Sequence, residues 1–568
     1  MTWNPTRRAV LGGLAALPLT PAIARARRFG HYDAIVRGGT VFDGLGGPGI
    51  EADVGIAEGR IAAIGKLGKA ARGTAEIDAR GQAVAPGFIN MLSWANDSLI
   101  EDGRSQGDIR QGVTLEVMGE GWSMGPLNAE MKRRELREQG DIKYDIGWTT
   151  LAQYLSFLEA KGVSCNVASF VGATTVRMHE VGYDDVRATP DQLRRMQNLV
   201  RAEMRGGALG VGSSLIYAPG NFANTDELVA LTQAAAEYGG GYISHMRSEA
   251  GRYLESIEEL IEIGRRAKAQ VQMYHIKPSG RDNWGKADAG LAKMDAARRA
   301  GVDISANLYT YTAGSTGLYA TMPLWVQQGG HDAWVARLKN PAIRARVIAE
   351  MRGTPVGWEN TLREAGSPER VLLIGFKNPK LKPLTGMTLA QVSAQRGTSP
   401  EDTIIDLVIE DDSRVDAVFF LMTEDNIRKN IRWPWTMLGS DAGSMAPEGK
   451  FLLKSTHPRA YGNFARFLGK YIREEKVIGL SEGIRRLTSL PVQQLGLRGR
   501  GRLAPGYAAD VVVFDPAKIQ DHATFAKPHQ YATGVSEVLV GGTAVLRGGE
   551  HTGAKPGRFV KGPGWRGK

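Results

Sequence analysis

Hydrophobic and polar residues alternate in short runs near both ends of the chain. The N-terminal runs are YDAIVRGGTVFDG, DVGIAEGRIAAIG and AEIDARGQAVAPG, and turn residues separate them. The same alternation returns late in the chain, in GRLAPGYAADVVVFD and SEVLVGGTAVLRGG. This pattern is typical of short antiparallel strands. Because the two pieces flank everything else, we expect one small β-sandwich built from residues 31–85 and 490–550.

Between these pieces, apolar runs typical of strands alternate with segments whose apolar residues recur at helical spacing. Such alternation is typical of βαβ units around a parallel sheet. Eight segments resemble buried strands: 86–91, 112–118, 166–170, 209–213, 242–244, 271–274, 302–308 and 436–440. The pattern therefore predicts an α/β fold, a (β/α)8 TIM-like barrel over residues 86–489, with an insertion near 316–370.

Residues 1–24 have the three parts of an export signal. Arg7 and Arg8 precede an apolar run over residues 9–19, and small residues at 22–24 form a cleavage site. The apolar run is too short to span a bilayer. Paired arginines in front of such a run are typical of twin-arginine export. We therefore expect the mature chain to be periplasmic.

The net charge of +11 would indicate a nucleic-acid partner if it lay on one folded face. Residues 1–24 hold two of these charges, and residues 547–568 carry a net +5. The second stretch is rich in Gly and Pro, so we expect an exposed basic tail over residues 551–568. The rest of the chain keeps only +4 and has no basic stripe. We therefore expect no nucleic-acid partner.

The composition limits which kinds of site the chain can build. Hydrophobic residues make up 42% and charged residues 23%, which are ordinary values for a globular protein. Cys165 is the single cysteine, so a disulfide within the chain and a cysteine-rich metal site are excluded. It lies in a strand pattern and is predicted to be a core residue. No run approaches 18 uninterrupted apolar residues, so no membrane span is predicted.

Three side chains follow predicted barrel strands directly. His245 and His275 close two consecutive strands, and Asp441 closes the last one. In a (β/α)8 barrel, the carboxyl ends of the strands form the catalytic face. Two imidazoles converging there can hold a metal ion, and a nearby carboxylate can take a proton from water. The spacing therefore predicts a metal-dependent hydrolytic site.

The chain resembles the N-acyl-D-amino-acid deacylases, or D-aminoacylases, of the metal-dependent amidohydrolase superfamily. The resemblance covers residues 31–560 and is carried by these motifs: VAPGFIN, ALGVGSSLIYAPG, ISHMRSE, QMYHIKPSGRDNWG, YTYTAGST, LGSDAG, HPRAYGNF and PHQYATGVSEVLV. It implies the barrel and small β-sandwich described above. It also implies that zinc is the cofactor and that the substrate is a small N-acylated amino acid.

The resemblance further implies residue roles. His245 and His275 match the family's two histidine ligands of the tightly bound zinc, and Asp441 matches its general base. Four residues match positions that hold the substrate's carboxylate: Lys277, Tyr309, Ser315 and Arg459. Arginine suits this role because its planar guanidinium can bind a carboxylate through two hydrogen bonds.

Two departures from the family pattern affect the metal site. Where the family has D-x-H-x-H, this chain places Leu92 and Trp94, neither of which coordinates zinc. Where the family has a ligand cysteine, aligning G-F-S with G-W-S places Glu120. Two His and one Glu form an acceptable zinc site with an open position. We therefore expect one zinc ion held by Glu120, His245 and His275; in the alternative, Glu120 only supports a degraded site.

Two other functions fit parts of the sequence. Gly121-Trp122-Ser123-Met124-Gly125 matches G-x-S-x-G, so Ser123 could be the nucleophile of a serine hydrolase, with Asp441 and His457 completing the triad. Alternatively, the substitutions at the metal positions could leave a non-catalytic periplasmic binding protein on a decayed amidohydrolase barrel. Metal content and turnover distinguish these hypotheses.

Overall fold

The computed structural model describes residues 30–567. Its strands, in chain order, are β1 (His31–Val41), β2 (Ile50–Ala57), β3 (Arg60–Gly65), β4 (Arg72–Asp78), β5 (Ala83–Pro86), β6 (Phe88–Asn90), β7 (Val113–Met118), β8 (Asn166–Ser169), β9 (Val171–Gly172), β10 (Gly210–Ser214), β11 (Gly241–His245), β12 (Val271–Met273), β13 (Ile304–Leu308), β14 (Gly314–Gly317), β15 (Val371–Gly375), β16 (Asp416–Phe419), β17 (Thr436–Leu438), β18 (Val511–Phe514), β19 (Val535–Val540), β20 (Thr543–Arg547) and β21 (Glu550–His551). The export signal predicted for residues 1–24 lies outside the described residues.

The α-helices are α1 (Ser98–Glu101), α2 (Gln106–Ile109), α3 (Ala129–Glu138), α4 (Leu151–Lys161), α5 (Ala173–Glu180), α6 (Pro190–Gly206), α7 (Thr225–Ala236), α8 (Tyr253–Ala267), α9 (Ala287–Arg299), α10 (Leu324–Gln327), α11 (His331–Leu338), α12 (Pro341–Arg352), α13 (Thr361–Ala365), α14 (Leu389–Arg396), α15 (Pro400–Asp411), α16 (Glu424–Arg432), α17 (Arg459–Arg466), α18 (Leu480–Leu487) and α19 (Ser489–Gln494). A π-helical stretch, Phe467–Glu474, continues α17.

Local sequence sets several of the helix ends. Thr189 caps α6 in a capping box with Gln192, and Gly207 ends this helix in a left-handed conformation.

Both ends of the chain contribute to one nine-stranded sheet. Its order is β21-β20-β19-β18-β5-β1-β2-β3, and β4 also pairs with β1. The two ends meet where β5 pairs antiparallel with β18, with Val84 opposite Val513. Alternate residues, such as Val36, Val54 and Val511, face a shared apolar core. The prediction of a small β-domain built from both ends of the chain is confirmed.

Eight parallel strand positions form the barrel. They are β6, β7, the nearly continuous pair β8 and β9, then β10, β11, β12, β13 and β17. The barrel closes between its last and first strands, where Met91 N donates to Leu438 O at 3.0 Å. Nearly all of these strand residues are buried, as expected for parallel strands covered on both faces. The predicted barrel is confirmed.

The excursion between β13 and β17 is longer than the insertion predicted near residues 316–370. It holds a three-stranded antiparallel sheet in the order β14-β16-β15, together with α10 to α15. Two of its strands and two of its helices follow residue 370, so the excursion extends to Phe419. The central strand β16 pairs with β14, which precedes it by about 100 residues. That pairing is non-local, and the sequence pattern does not reveal it.

The C-terminal segment corrects another prediction. The sequence predicts an exposed tail over residues 551–568, but Phe559 and Val560 are only 5% and 7% exposed. Backbone hydrogen bonds join the segment to the amino-terminal side of the barrel: Gly557 N to Val163 O, Val560 N to Val167 O, and Gly562 N to Gly207 O. Arg558 keeps its charge at the surface with a side chain 70% exposed. The segment therefore packs against the barrel as part of the fold.

Within residues 30–567, none of the helices combines the length and apolar character that crossing a membrane requires. Cys165 is fully buried in the apolar core around β8, which confirms its predicted core position.

Candidate metal centre

The candidate site lies at the carboxyl ends of the barrel strands. His245 is the last residue of β11, and His275 follows β12 by two residues. Glu120 follows β7 by two residues, and Asp441 follows β17 by three. Barrel enzymes use this same face for catalysis, because the loops after the strands converge there.

The backbone turns sharply at two of these positions. His275 has a φ angle of 32° and Asp441 one of 50°, values that residues other than glycine rarely adopt. Hydrogen bonds hold both turns in place. His275 N donates to Asn307 Oδ1 at 2.8 Å, and Asp441 N donates to Leu92 O at 2.8 Å. Backbone strain that the surroundings enforce in this way is typical of functional sites.

Glu120, His245 and His275 form one compact set of donors. Glu120 Oε1 lies 3.0 Å from His245 Nδ1 and 3.0 Å from His275 Nε2. One potential ligand atom from each residue lies within 4.8 Å of the other two, and all three residues are buried. His245 Nε2 is buried without a hydrogen-bond partner. One carboxylate and two imidazoles are a donor set that suits zinc, so the residues present fit the metal.

Glu249 supports this donor set, although the sequence reasoning did not assign it a role. Its Oε1 lies 3.0 Å from His275 Nδ1 and accepts a hydrogen bond from Lys277 Nζ at 2.7 Å. Its Oε2 lies 3.5 Å from His245 Nε2. Carboxylates in this position orient metal-binding histidines and fix their tautomer. The signal available in the sequence was its place in ISHMRSE, four residues after His245.

The buried charges alter one another's protonation. Burial opposes the charged form of Glu120, but His275 and His245 outweigh it and hold the carboxyl pKa well below its usual range. Burial and Lys277 oppose the charged form of His275, yet Glu249 and Glu120 raise its pKa to about 9. Burial likewise opposes the charge of Lys277, while Glu249 raises its pKa. Each buried basic group, His275 and Lys277, therefore has a carboxylate beside it that stabilises its positive charge.

Asp441 and Arg459 form an ion pair beside the donor set. Arg459 Nη2 lies 2.9 Å from Asp441 Oδ2, and the guanidinium carbon lies 4.4 Å from the centre of the Tyr309 ring. Burial raises the pKa of Asp441, although Arg459 opposes this effect. Arg459 is only 2% exposed, and its Nε and Nη1 have no hydrogen-bond partner. Two buried donors therefore remain for an anionic ligand.

The predicted substrate-binding residues occupy different parts of one cavity. Lys277, Tyr309 and Arg459 line it close to the metal donors, and Ser315 lines it from β14. The Ser315 hydroxyl donates to Ala417 O at 3.1 Å. The cavity has a volume of about 740 Å³, and several aromatic side chains lie on its wall: Trp94, Trp122, Tyr144, Tyr183, Tyr217, Tyr319 and Trp334. This volume suits a small organic molecule.

Comparison with known proteins identifies the family. The amidohydrolase family model matches residues 166–546. D-aminoacylase from Alcaligenes xylosoxydans xylosoxydans is 32% identical over 533 residues, covering 93% of this chain and 97% of the relative. The chain belongs to the D-aminoacylase family of the amidohydrolase superfamily. N-acyl-D-glutamate deacylase from the same organism is also 32% identical, covering 93% of this chain and 96% of that protein.

Solved structures of D-aminoacylase family members share the fold. N-acyl-D-glutamate deacylase from Bordetella bronchiseptica, crystallised with zinc and a phosphonate mimic of the tetrahedral intermediate, superposes with a TM-score of 0.77 at 29% identity. The alignment covers 94% of this chain and 100% of that structure. A D-aminoacylase with a binuclear metal centre, described as activated by one metal and attenuated by a second, gives a TM-score of 0.76 at 31% identity, with 93% and 100% coverage. This chain is therefore a metal-dependent amidohydrolase of the D-aminoacylase type.

Leu92 and Trp94, where the resemblance implies an H-x-H pair, have different environments. Leu92 is fully buried in an apolar cluster with Ile89 and Met437. Trp94 lies at the cavity wall, and its indole N–H points at Glu120 and Asp441. Neither Leu92 nor Trp94 therefore contributes a metal ligand.

The structure contradicts the serine hydrolase hypothesis. Ser123 is fully buried, and its hydroxyl donates to Gly125 O at 2.6 Å and accepts from Gly172 N at 2.8 Å. His457 Nε2 instead lies 2.9 Å from Ala313 O, and its Nδ1 accepts from Arg459 N. No hydrogen bond joins Ser123 to a histidine among the described residues, so the activated nucleophile that the motif requires is missing.

Proposed function

We propose that this protein is a mononuclear zinc amidohydrolase that removes the acyl group from N-acyl-D-amino acids or closely related N-acylated compounds. The observation that carries the proposal is the placement of Glu120, His245 and His275 beside an Asp441–Arg459 pair with two unused buried guanidinium donors. Relatives of about 30% identity named as D-aminoacylase and N-acyl-D-glutamate deacylase support the substrate class.

Glu120, His245 and His275 would hold the zinc ion, with Glu249 orienting His275 through its Nδ1. Bound zinc supplies a Lewis acid that polarises the amide carbonyl and makes water a better nucleophile at neutral pH. The protein's own contribution is a fixed, buried donor set at the strand ends, so little reorganisation is needed when substrate enters.

In this proposal Asp441 acts as the general base. It takes a proton from the attacking water as the new carbon–oxygen bond forms, and it returns a proton to the amine as the carbon–nitrogen bond breaks. The products are a carboxylate and a free amino acid. Burial of the Asp441 carboxyl raises its pKa, which makes this group a better proton acceptor than an exposed aspartate.

Arg459 binds the α-carboxylate of the substrate in this proposal. Its Nη2 is taken by Asp441, whereas Nε and Nη1 are buried and free. A substrate carboxylate can accept a hydrogen bond from one of these donors, which helps to fix the amide relative to Asp441. The ring face of Tyr309 packs against the guanidinium and stabilises its charge through a cation–π interaction.

The proposal is tested by measuring zinc content and hydrolysis of N-acetyl-D-amino acids together. The wild type should contain one zinc ion per chain, lose activity with a chelator and resist serine-directed reagents. Glu120→Ala and His245→Ala should lose the metal, whereas Asp441→Asn should keep it and lose roughly 10²- to 10⁴-fold in kcat.

Asp441→Asn is the matched control for metal binding, because it preserves the shape of the side chain. Full activity of Asp441→Asn with zinc still bound would disprove the proposed mechanism. Wild-type protein without metal and without turnover would support the non-catalytic binding-protein hypothesis instead.

A further inference from the structure

The indole of Trp94 joins the two key carboxylates of the site. Its Nε1–H lies 2.9 Å from Glu120 Oε2 and 3.1 Å from Asp441 Oδ1. Glu120 follows β7 and Asp441 follows β17, so the indole spans the ends of two strands that flank β6 in the barrel. Glu120 is buried and the Asp441 side chain is only 12% exposed, and two carboxylates this close repel each other unless a hydrogen or a cation lies between them.

All four oxygens of these carboxylates have partners on the protein. Glu120 Oε1 faces the two imidazoles, and its Oε2 accepts from Trp94. Asp441 Oδ1 accepts from Trp94, and its Oδ2 pairs with Arg459 at 2.9 Å. A second metal ion would have to displace the indole N–H from both groups.

The neighbouring residues offer no replacement ligand. Leu92 is fully buried and apolar. The side-chain oxygen of Asn90 accepts from Ser440 N at 2.8 Å, and its amide nitrogen donates within a buried polar cluster to Asp108, Glu116 and Ser440. An indole nitrogen is a donor only and cannot bind a metal through a lone pair.

We propose that Trp94 replaces a second metal ion, because its indole N–H bridges Glu120 and Asp441 and holds Asp441 in position. This inference rests on the proposed function, since it concerns the same metal ligand and the same base. Trp94 is a positioning residue, and it limits the centre to one metal ion. D-aminoacylase is described as attenuated by a second metal; this chain should lack that response.

The first test is metal stoichiometry, which does not depend on turnover. After incubation with excess zinc and removal of free ions, wild-type protein should retain one zinc per chain. The double variant Leu92→His/Trp94→His should retain two, because it supplies two imidazoles and removes the bridge. Leu92→His alone is the matched control and should retain one. Two zinc ions in the wild type, or one in a folded double variant, would overturn the proposal.

The second test uses Trp94→Phe, which keeps a large ring and removes only the N–H. Loss of a hydrogen bond to charged groups should lower kcat roughly 10- to 100-fold, with KM for an N-acetyl-D-amino acid nearly unchanged and one zinc retained. A variant with wild-type kcat would refute the positioning role. Excess zinc should inhibit the double variant and leave the wild type unaffected; inhibition of the wild type would count against the inference.

The two proposals can fail separately. If the wild type binds one zinc and the double variant binds two, but neither hydrolyses N-acetyl-D-amino acids, the role of Trp94 stands and the proposed substrate is wrong. If the wild type hydrolyses these substrates while binding two zinc ions, the function stands and the role of Trp94 is wrong.

Discussion

Replacing Glu203 by glutamine should remove a pH-dependent loss of stability that the wild type carries. Glu203 lies near the end of α6 and is only 3% exposed. Its Oε2 accepts from Leu151 N, in the first turn of α4, at 3.2 Å. Burial raises the pKa of Glu203 from 4.5 to about 7, because the backbone N–H groups of α4 only partly compensate for lost hydration.

The sign and size of the effect follow from that pKa. Between pH 4.5 and 7 the folded protein holds a proton on Glu203 that the unfolded chain has released, so stability falls as pH rises through this range. The gap between the two pKa values, at about 1.4 kcal/mol for each pH unit, amounts to about 3 kcal/mol. Below pH 4.5 Glu203 is protonated in both the folded and the unfolded state, so its ionisation does not lower the free energy of unfolding.

Glu203→Gln keeps an acceptor for Leu151 N and cannot ionise. We expect it to match the wild type near pH 4.5 and to exceed its stability by up to about 3 kcal/mol at pH 8. Urea unfolding followed by tryptophan fluorescence at several pH values measures this difference. Other titrating groups affect both proteins equally, so the difference isolates Glu203. Parallel stability curves for the two proteins would refute the reasoning.

Three further predictions concern the site and the chain's location. Arg459→Lys should lower kcat/KM roughly 10- to 100-fold, because a lysine keeps the charge and loses the guanidinium donors fixed in one plane. In steady-state assays, kcat/KM for a substrate that lacks an α-carboxylate should fall far less. Glu120→Cys should still bind one metal, and its cobalt form should show thiolate-to-metal charge-transfer absorption that the wild type lacks. We propose that residues 1–24 direct export to the periplasm; changing Arg7 and Arg8 to lysine should keep the protein in the cytoplasm, and N-terminal sequencing of exported protein should begin at residue 25.

Local patterns in the sequence were sufficient to predict the barrel and part of the candidate metal site. Parallel strands covered on both faces give short apolar runs bounded by turns, and the eight predicted runs correspond to the eight barrel positions. His245 and His275 then follow from their place at two strand ends. The roles assigned to them and to Asp441 remain predictions until metal content and turnover are measured.

The features that the sequence did not predict depend on contacts between residues far apart in the chain. In the three-stranded sheet of the insertion, β14 pairs with β16, about 100 residues further along the chain. The C-terminal segment packs against the barrel and forms backbone hydrogen bonds to residues far away in the sequence. Glu249 supports the histidines through atoms that meet only when β11 and β12 lie side by side. Periodicity reports which face of an element is buried and carries no information on which distant element covers it.

By itself the sequence determined the chemical kinds of donor available: one cysteine, two histidines at predicted strand ends, and a glutamate where the resemblance implies a ligand cysteine. It also places Leu92 and Trp94 where the resemblance implies the H-x-H pair. Only the tertiary structure decided what takes its place, because the Trp94 N–H lies within hydrogen-bond distance of Glu120 and Asp441 after three separate strand ends converge. Residues far apart in the chain share one hydrogen there, and the largely buried surroundings strengthen that contact, because a hydrogen bond is stronger in a low dielectric.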